Sequence, residues 1–208
     1  MNSTEVVVID YGGGNLGSLL AALEREGAGY TVSGDPAVVS AAAATILPGD
    51  GAFGATMDAL RERGLDAAIR RSIEAERPFL GICVGMQILF EESLEFGASA
   101  GLGILPGRIE RFVSAPRVPH MGWNRVEPIV DHPFVTGLNG DEYAYFLHSY
   151  RAAIGPATAA ITEHGERFSS VVAKRSVMGT QFHPEKSQTT GAKLLRNFLA
   201  ILRGGPRP

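Results

Sequence analysis

The sequence predicts an α/β domain: a mostly parallel central sheet with helices on both faces, plus a smaller antiparallel strand region in the second half. Three observations predict it. Short β-branched apolar runs alternate with helically periodic segments through the first half, the pattern of parallel strands joined by crossover helices. The runs of the second half follow one another directly, with only turn residues between them. The chain has 208 residues, 45% of them hydrophobic and 26 of them glycine, enough for one full-sized core and many tight turns.

Taken in order, Val6 to Ile9 is a continuous apolar run and reads as a buried strand. Leu16, Leu19, Leu20 and Leu23 fall at i, i+3, i+4 and i+7, so they predict a helix that Gly27 ends and Asn15 caps. TILPG (45–49) and PFLGIC (78–83) read as two further buried strands, with a helix carrying Met57, Leu60, Leu65 and Ile69 between them. RIERFV, NRVEPI, EYAYFLHSY, ATAAIT, SSVVAKR and VMGTQF predict meandering or antiparallel strands. A last helix runs from about Thr189 to Leu202, with Leu194, Leu195, Phe198 and Leu202 as its buried stripe. GGPRP (204–208) is expected to be a disordered tail. No linker composition splits the chain, so residues 1–208 read as one domain.

Composition excludes several function classes. The formal net charge of −3 leaves no electrostatic footprint for nucleic acid. A single cysteine allows no internal disulfide and no cysteine-rich zinc site. The stretch MNSTEVVVID has no basic segment, and its apolar run is too short for a signal peptide or a membrane span. No membrane is expected, and a reducing cytoplasm is the expected setting.

VVVIDYGGGNLGSLL places Gly12, Gly14 and Gly17 at the G-x-G-x-x-G spacing of a dinucleotide loop, with Asp35 near the place of a ribose-binding acid. Against this, Asp10 and Tyr11 separate the apolar run from the first glycine. Asp35 also lies in a turn between Gly34 and Pro36, and no hydride-transfer site follows. The plainer reading is a set of glycines that turn a strand into a helix.

The only cysteine stands in GICVGMQ (81–87). A lone cysteine is more often a small core hydrophobe than a nucleophile. Here, however, Gly81-Ile82-Cys83-Val84-Gly85 is the cysteine form of G-x-S-x-G, with an apolar run before it and a helical pattern (Val84, Ile88, Phe90, Glu91) after it. Such a turn lifts the sulfur out of the sheet and sets it at a helix N-terminus, where the dipole and free N–H groups favour a thiolate. The Val84 N–H can face a developing oxyanion. Of the five histidines, His183 in GTQFHPEKS (179–187) is best placed as the base. Pro184 biases it toward extended backbone, and in an extended segment Glu185 shares its face. A carboxylate there can fix the ring's tautomer and stabilise its cation. LPGDGAFG (47–54) follows a strand, and its glycines can expose backbone N–H groups to an anion. A zinc deaminase also uses H-x-E, but its paired cysteines are missing.

G-x-C-x-G-x-Q and H-P-E, with the glycine-rich loop ahead of them, resemble the class I (triad) glutamine amidotransferases. DYGGGNLGSL, PHMGWN (119–124), YFLHSY (145–150) and FHPEKSQ (182–188) are similar to the branch that supplies ammonia to a cyclase making imidazole glycerol phosphate in histidine biosynthesis. The similarity runs from about residue 5 to residue 202. It implies a flavodoxin-like three-layer domain, and no cofactor or metal is expected. It also implies attack of the Cys83 thiolate on the glutamine side-chain amide, departure of ammonia with a proton from His183, and hydrolysis of a γ-glutamyl thioester. In this resemblance Cys83, His183 and Glu185 form the triad. Val84, Asp50 and Gly51 belong to the oxyanion hole, Asp50 by way of a peptide flip. Gly49, Gln87, Glu95 and the backbone of His148, Ser149 and Tyr150 hold glutamine.

Asn15, Trp123, Tyr145 and Lys186 match the surface facing a partner. That partner is a (β/α)8-barrel cyclase which forms a heterodimer, receives ammonia through an internal channel and activates the glutaminase when its own ligand binds. Asp50 departs from the family's PGVG loop, which has valine there: the N–H is kept, but a carboxylate stands near developing negative charge. Three other readings stay open: an amidotransferase serving another synthase, a nucleotide-binding module on Gly12–Gly17, and a non-catalytic subunit.

Overall fold

The computed structural model describes residues 6–14 and 16–205. Its first half builds β1 (Val6–Ile9), α1 (Leu16–Arg25), β2 (Tyr30–Ser33), α2 (Pro36–Ala41), β3 (Thr45–Leu47), α3 (Phe53–Glu62), α4 (Leu65–Glu74) and β4 (Phe79–Ile82). A single helical turn, α5 (Val84–Gln87), leads into the short strands β5 (Glu92–Ser93) and β6 (Ser99–Ala100). Then come β7 (Arg108–Arg111), β8 (His120–Pro128), β9 (Glu142–His148), β10 (Tyr150–Ala152), β11 (Thr158–Glu163), β12 (Arg167–Lys174), β13 (Val177–Thr180) and α6 (Gln188–Leu202).

Nine strands form one sheet in the order β2-β1-β3-β4-β13-β12-β11-β8-β9, and β10-β7-β5-β6 form a second. The strands β2, β1, β3, β4 and β13 run parallel, in the order of a flavodoxin-like doubly wound sheet. The other neighbours in the large sheet pair antiparallel. The architecture is thus the α/β one expected: a large mixed sheet, mostly parallel in the first half, and a smaller second sheet. β1, β3, β4 and β13 are buried along their whole length, which is why their residues show no polar alternation. Leu19 and Leu23 of α1, and Leu194, Leu195 and Phe198 of α6, are buried, so the 3.6-residue period marks the faces turned to the core.

Several expectations change. The single helix expected through Met57 and Ile69 is two, broken at Gly64, whose φ of 67° is left-handed. The step from Leu60 to Leu65 turns about 140° around one continuous helix, so only a break keeps both in the core. VMGT continues the antiparallel meander by pairing with β12, and on its other edge it also pairs parallel with β4, from Val177 beside Phe79 to Thr180 beside Ile82. The helix expected after Cys83 lasts one turn. Asp35 is the N-cap of α2, its carboxylate accepting from the Ala37 N–H at 2.8 Å, so it is engaged by the helix it starts. Of the tail expected from residue 204, the first two residues are ordered onto α6. Gly204 (φ 87°) donates to Ile201 and Gly205 donates to Ala200, closing the C-terminus of α6. The cap and partner contact expected at Asn15, and the tail at 206–208, fall outside the described residues. Among those described, no helix is long and apolar enough to cross a membrane.

Candidate active site

Because β3, β4 and β13 are parallel neighbours, the loops that leave them open on one edge of the sheet. Cys83 leaves β4 there with φ 55° and ψ −112°, a conformation that costs a non-glycine residue energy and persists only where neighbours enforce it. The neighbours are visible. A methyl on Gly81 would run into the Gly85 carbonyl, and one on Gly85 would run into the Leu47 carbonyl of β3. The Cys83 N–H donates to Thr180 of β13 at 2.7 Å, while its carbonyl accepts from Met86 and Gln87. The residue is only 4% exposed, yet it lines a cleft of about 760 Å3.

His183 reaches the same cleft from the end of β13. Its Nδ1 meets Glu185 Oε1 at 2.8 Å, which leaves the other ring nitrogen for the Cys83 sulfur, its second hydrogen-bond partner. Burial opposes charge on this ring. The hydrogen bonds to Cys83 and Glu185, with the attraction of their negative charges, overcome it and push the pKa up to about 10. Glu185 Oε2 is buried with no partner among the described residues, so the ring is the main counter-charge this carboxylate has. The His183 N–H donates to the Tyr145 carbonyl of β9 at 3.3 Å, and Ser187 Oγ donates to the His183 carbonyl at 2.6 Å. Ser187 Oγ also accepts from the Tyr145 N–H, so β9 holds the histidine's backbone on both sides.

Asp50, Gly51 and Val84 all line the cleft. Gly49 adjoins Asp50 and faces a small pocket with His183 and Glu185, and a methyl on it would sit 2.7 Å from the Gly85 nitrogen, so its smallness lets the two loops touch. Gln87 is buried and donates to the Tyr150 carbonyl at 3.1 Å and to Gln181 Oε1 at 3.0 Å. Gln181 in turn donates to Cys83 Sγ at 3.7 Å. The sequence reading missed Gln181, although the i, i+2 rule that found Glu185 puts it on the face of His183 as well. Glu95 lines the cleft, and its Oε2 also accepts from the Phe53 N–H at the start of α3. His148, Ser149 and Tyr150 line the cleft as well, while Lys186, expected at the partner surface, joins the lining together with Arg111 and Phe96.

His148 is locked by its neighbours. Its Nδ1 faces the Tyr150 carbonyl at 2.8 Å and so carries the proton, while its Nε2 accepts from His120 Nδ1 at 3.0 Å. His120 Nε2 then accepts from Asn124. Burial lowers the His148 pKa to about 3, despite the Tyr150 carbonyl, and the His120 pKa to about 4, in both cases with help from His164. Outside this pair, β8 and β9 alternate cleanly: Met121, Trp123 and Arg125 stand opposite Leu147, Tyr145 and Tyr143 on the outer face. Trp123 and Tyr145 meet edge to face at 6.1 Å, and Trp123 is 48% exposed.

A thiol held on a strained turn, an imidazole whose cation is stabilised beside it, and backbone N–H groups around the sulfur are what acyl transfer from an amide requires. The chain belongs to the class-I glutamine amidotransferases, whose family model matches residues 7–202. Its sequence relatives narrow the likeness. The imidazole glycerol phosphate synthase subunit HisH of Symbiobacterium thermophilum is 47% identical over 93% of this chain and 92% of its own. Proteins of the same name from Halobacterium salinarum and Synechococcus sp. (strain JA-3-3Ab) are 47% and 45% identical, over 93% and 97% of this chain and 92% and 96% of theirs. Two solved structures share the fold: a glutamine amidotransferase (TM-score 0.75, 23% identity, 95% of this chain and 98% of that one) and PurLQS from Thermotoga maritima (TM-score 0.74, 22% identity, 96% and 99%).

Proposed function

We propose that this chain hydrolyses glutamine to glutamate and ammonia, and hands the ammonia to the cyclase partner of an imidazole glycerol phosphate synthase, in a reducing cytoplasm. The observation that carries the reading is the alignment of Cys83, His183 and Glu185, in a chain that shares nearly half its residues with HisH subunits. Cys83 attacks the side-chain carbonyl carbon of glutamine, and the oxygen takes the negative charge. Val84 N–H, with Asp50 and Gly51 N–H, receives it. His183 then gives its proton to the departing nitrogen, the C–N bond breaks, and ammonia leaves a γ-glutamyl thioester. Water attacks the thioester with its proton going to His183, and the C–S bond breaks to release glutamate.

Gln87, Glu95 and the backbone of 148–150 hold glutamine in the cleft. The outer face of β8 and β9, with Trp123 and Tyr145, and the exposed Lys186 receive a (β/α)8-barrel cyclase as a heterodimer. The test is Cys83→Ser in the complex. Product formation from glutamine should be lost while formation from added ammonia persists. Survival of the glutamine-dependent reaction would remove Cys83 as nucleophile.

A further inference from the structure

His120 and His148 are cross-strand neighbours on β8 and β9, and the hydrogen bonds that join them to Asn124 and Tyr150 all point one way. Asn124 Oδ1 accepts from the Arg125 N–H at 2.8 Å, which leaves Nδ2 to donate, to the Glu163 carbonyl at 2.8 Å and to His120 Nε2 at 3.1 Å. That ring nitrogen is therefore an acceptor, so the His120 proton sits on Nδ1 and is donated to His148 Nε2 at 3.0 Å. The same constraint puts the His148 proton on Nδ1, 2.8 Å from the Tyr150 carbonyl. A carbonyl only accepts, so the inner end of the chain demands the direction that Asn124 imposes. Both rings must be neutral for it, and burial lowers the pKa to about 3 for His148 and about 4 for His120. The Tyr150 carbonyl that ends the chain also accepts from Gln87 and belongs to the lining of the cleft. Two buried imidazoles are a costly way to fill a space that Phe112, Phe146 and Phe168 already crowd. What they add over phenyl rings is a proton of fixed position.

We propose that His120 is a positioning residue for glutamine binding: by donating to Nε2 of His148 it fixes that ring's proton on Nδ1, and so holds the Tyr150 carbonyl and the 148–150 backbone in the form that receives the substrate. The proposal rests on the glutaminase reading above. With no donor at Nε2, the His148 proton is free to sit on either nitrogen. On Nε2 it leaves the Nδ1 lone pair facing the Tyr150 oxygen, and the repulsion displaces that side of the cleft. Cys83 is spared, because its turn is held separately by Thr180 and by the close packing at Gly81 and Gly85. The effect therefore falls on binding rather than on the chemical step.

The test measures glutamate release by the complex with its cyclase and the cyclase ligand, in wild type, His120→Phe, His120→Asn and Asn124→Asp. Phenylalanine keeps a ring stacked on Phe146 and loses the donor. KM for glutamine should rise about fivefold or more, with kcat within about twofold. Asparagine loses the ring but sets an amide N–H where Nδ1 stood, so its KM should stay within about twofold of wild type. Asn124→Asp keeps both rings and presents an acceptor to His120 Nε2, which reverses every bond in the chain, and its KM should rise as in His120→Phe. In imidazole NMR spectra of the complex, His148 should be the Nδ1–H tautomer in wild type and His120→Asn, and move toward Nε2–H in the other two.

An unchanged KM in His120→Phe or in Asn124→Asp overturns the proposal. So does a KM raised more in His120→Asn than in His120→Phe, the mark of a packing role, or a loss confined to kcat, or one His148 tautomer throughout the series. A wild-type complex that releases no glutamate from glutamine overturns the glutaminase reading itself.

Discussion

Glu185 keeps one oxygen on the His183 ring and the other, buried, on no partner among the described residues, so its charge is answered almost wholly by that ring. Glu185→Gln should lower the His183 pKa from about 10 toward its ordinary value and cut glutaminase turnover about a hundredfold. Titration of the imidazole by NMR and a steady-state assay check the two. The effect on stability has a definite sign. A pKa raised on folding adds stability that is fully present below the unfolded value of about 6.5 and is lost as pH climbs through about 10. The variant's deficit in urea unfolding is therefore greatest near pH 6 and vanishes above the folded pKa.

The two-stranded ribbon of β8 and β9 carries its information in alternation. Its inward positions, His120, Ala144, Phe146 and His148, are buried, while Met121, Trp123, Tyr143 and Leu147 project outward and are exposed. Trp123→Ala should weaken binding of the cyclase about thirtyfold, as truncation of an interface aromatic does, and shift the melting temperature of the free chain very little. Calorimetric titration and a melt check this. Elements were readable in the sequence where burial is one- or two-sided over a whole run. β1, β3 and β4 are such runs; β2, half-exposed, and α2, six residues long, leave no such trace. The direction of β13 is not written in its residues, since a fully buried VMGT reads the same whether its neighbour is parallel or antiparallel. The meeting of Cys83, His183 and Glu185 could be read because elbow and extended-strand rules are local. Arg111 and Phe96 could not, because the second sheet brings them to the cleft from afar.

Across the whole molecule, the carboxyl edge of the parallel strands supplies sulfur, imidazole and the Asp50–Gly51 loop, and the smaller sheet supplies the facing wall. His148, in that wall, and His120 behind it weaken the fold in acid. Both rings are neutral in the fold, with pKa values lowered to about 3 and about 4, so below pH 6.5 the unfolded chain binds more protons and stability falls with pH. Each ring contributes up to about 1.4 kcal/mol per pH unit in that range. His120→Phe should make the decline between pH 6.5 and 4 shallower by about one proton, read from urea titrations at several pH values.

The contacts of Gly49, Gly81 and Gly85 with their neighbours have a last implication. With no room for even a methyl group, the turn bearing the sulfur and the strand beside it behave as one block. Variation that retunes amide preference is therefore channelled into the smaller sheet across the cleft, where side chains can be exchanged without disturbing the reacting atoms.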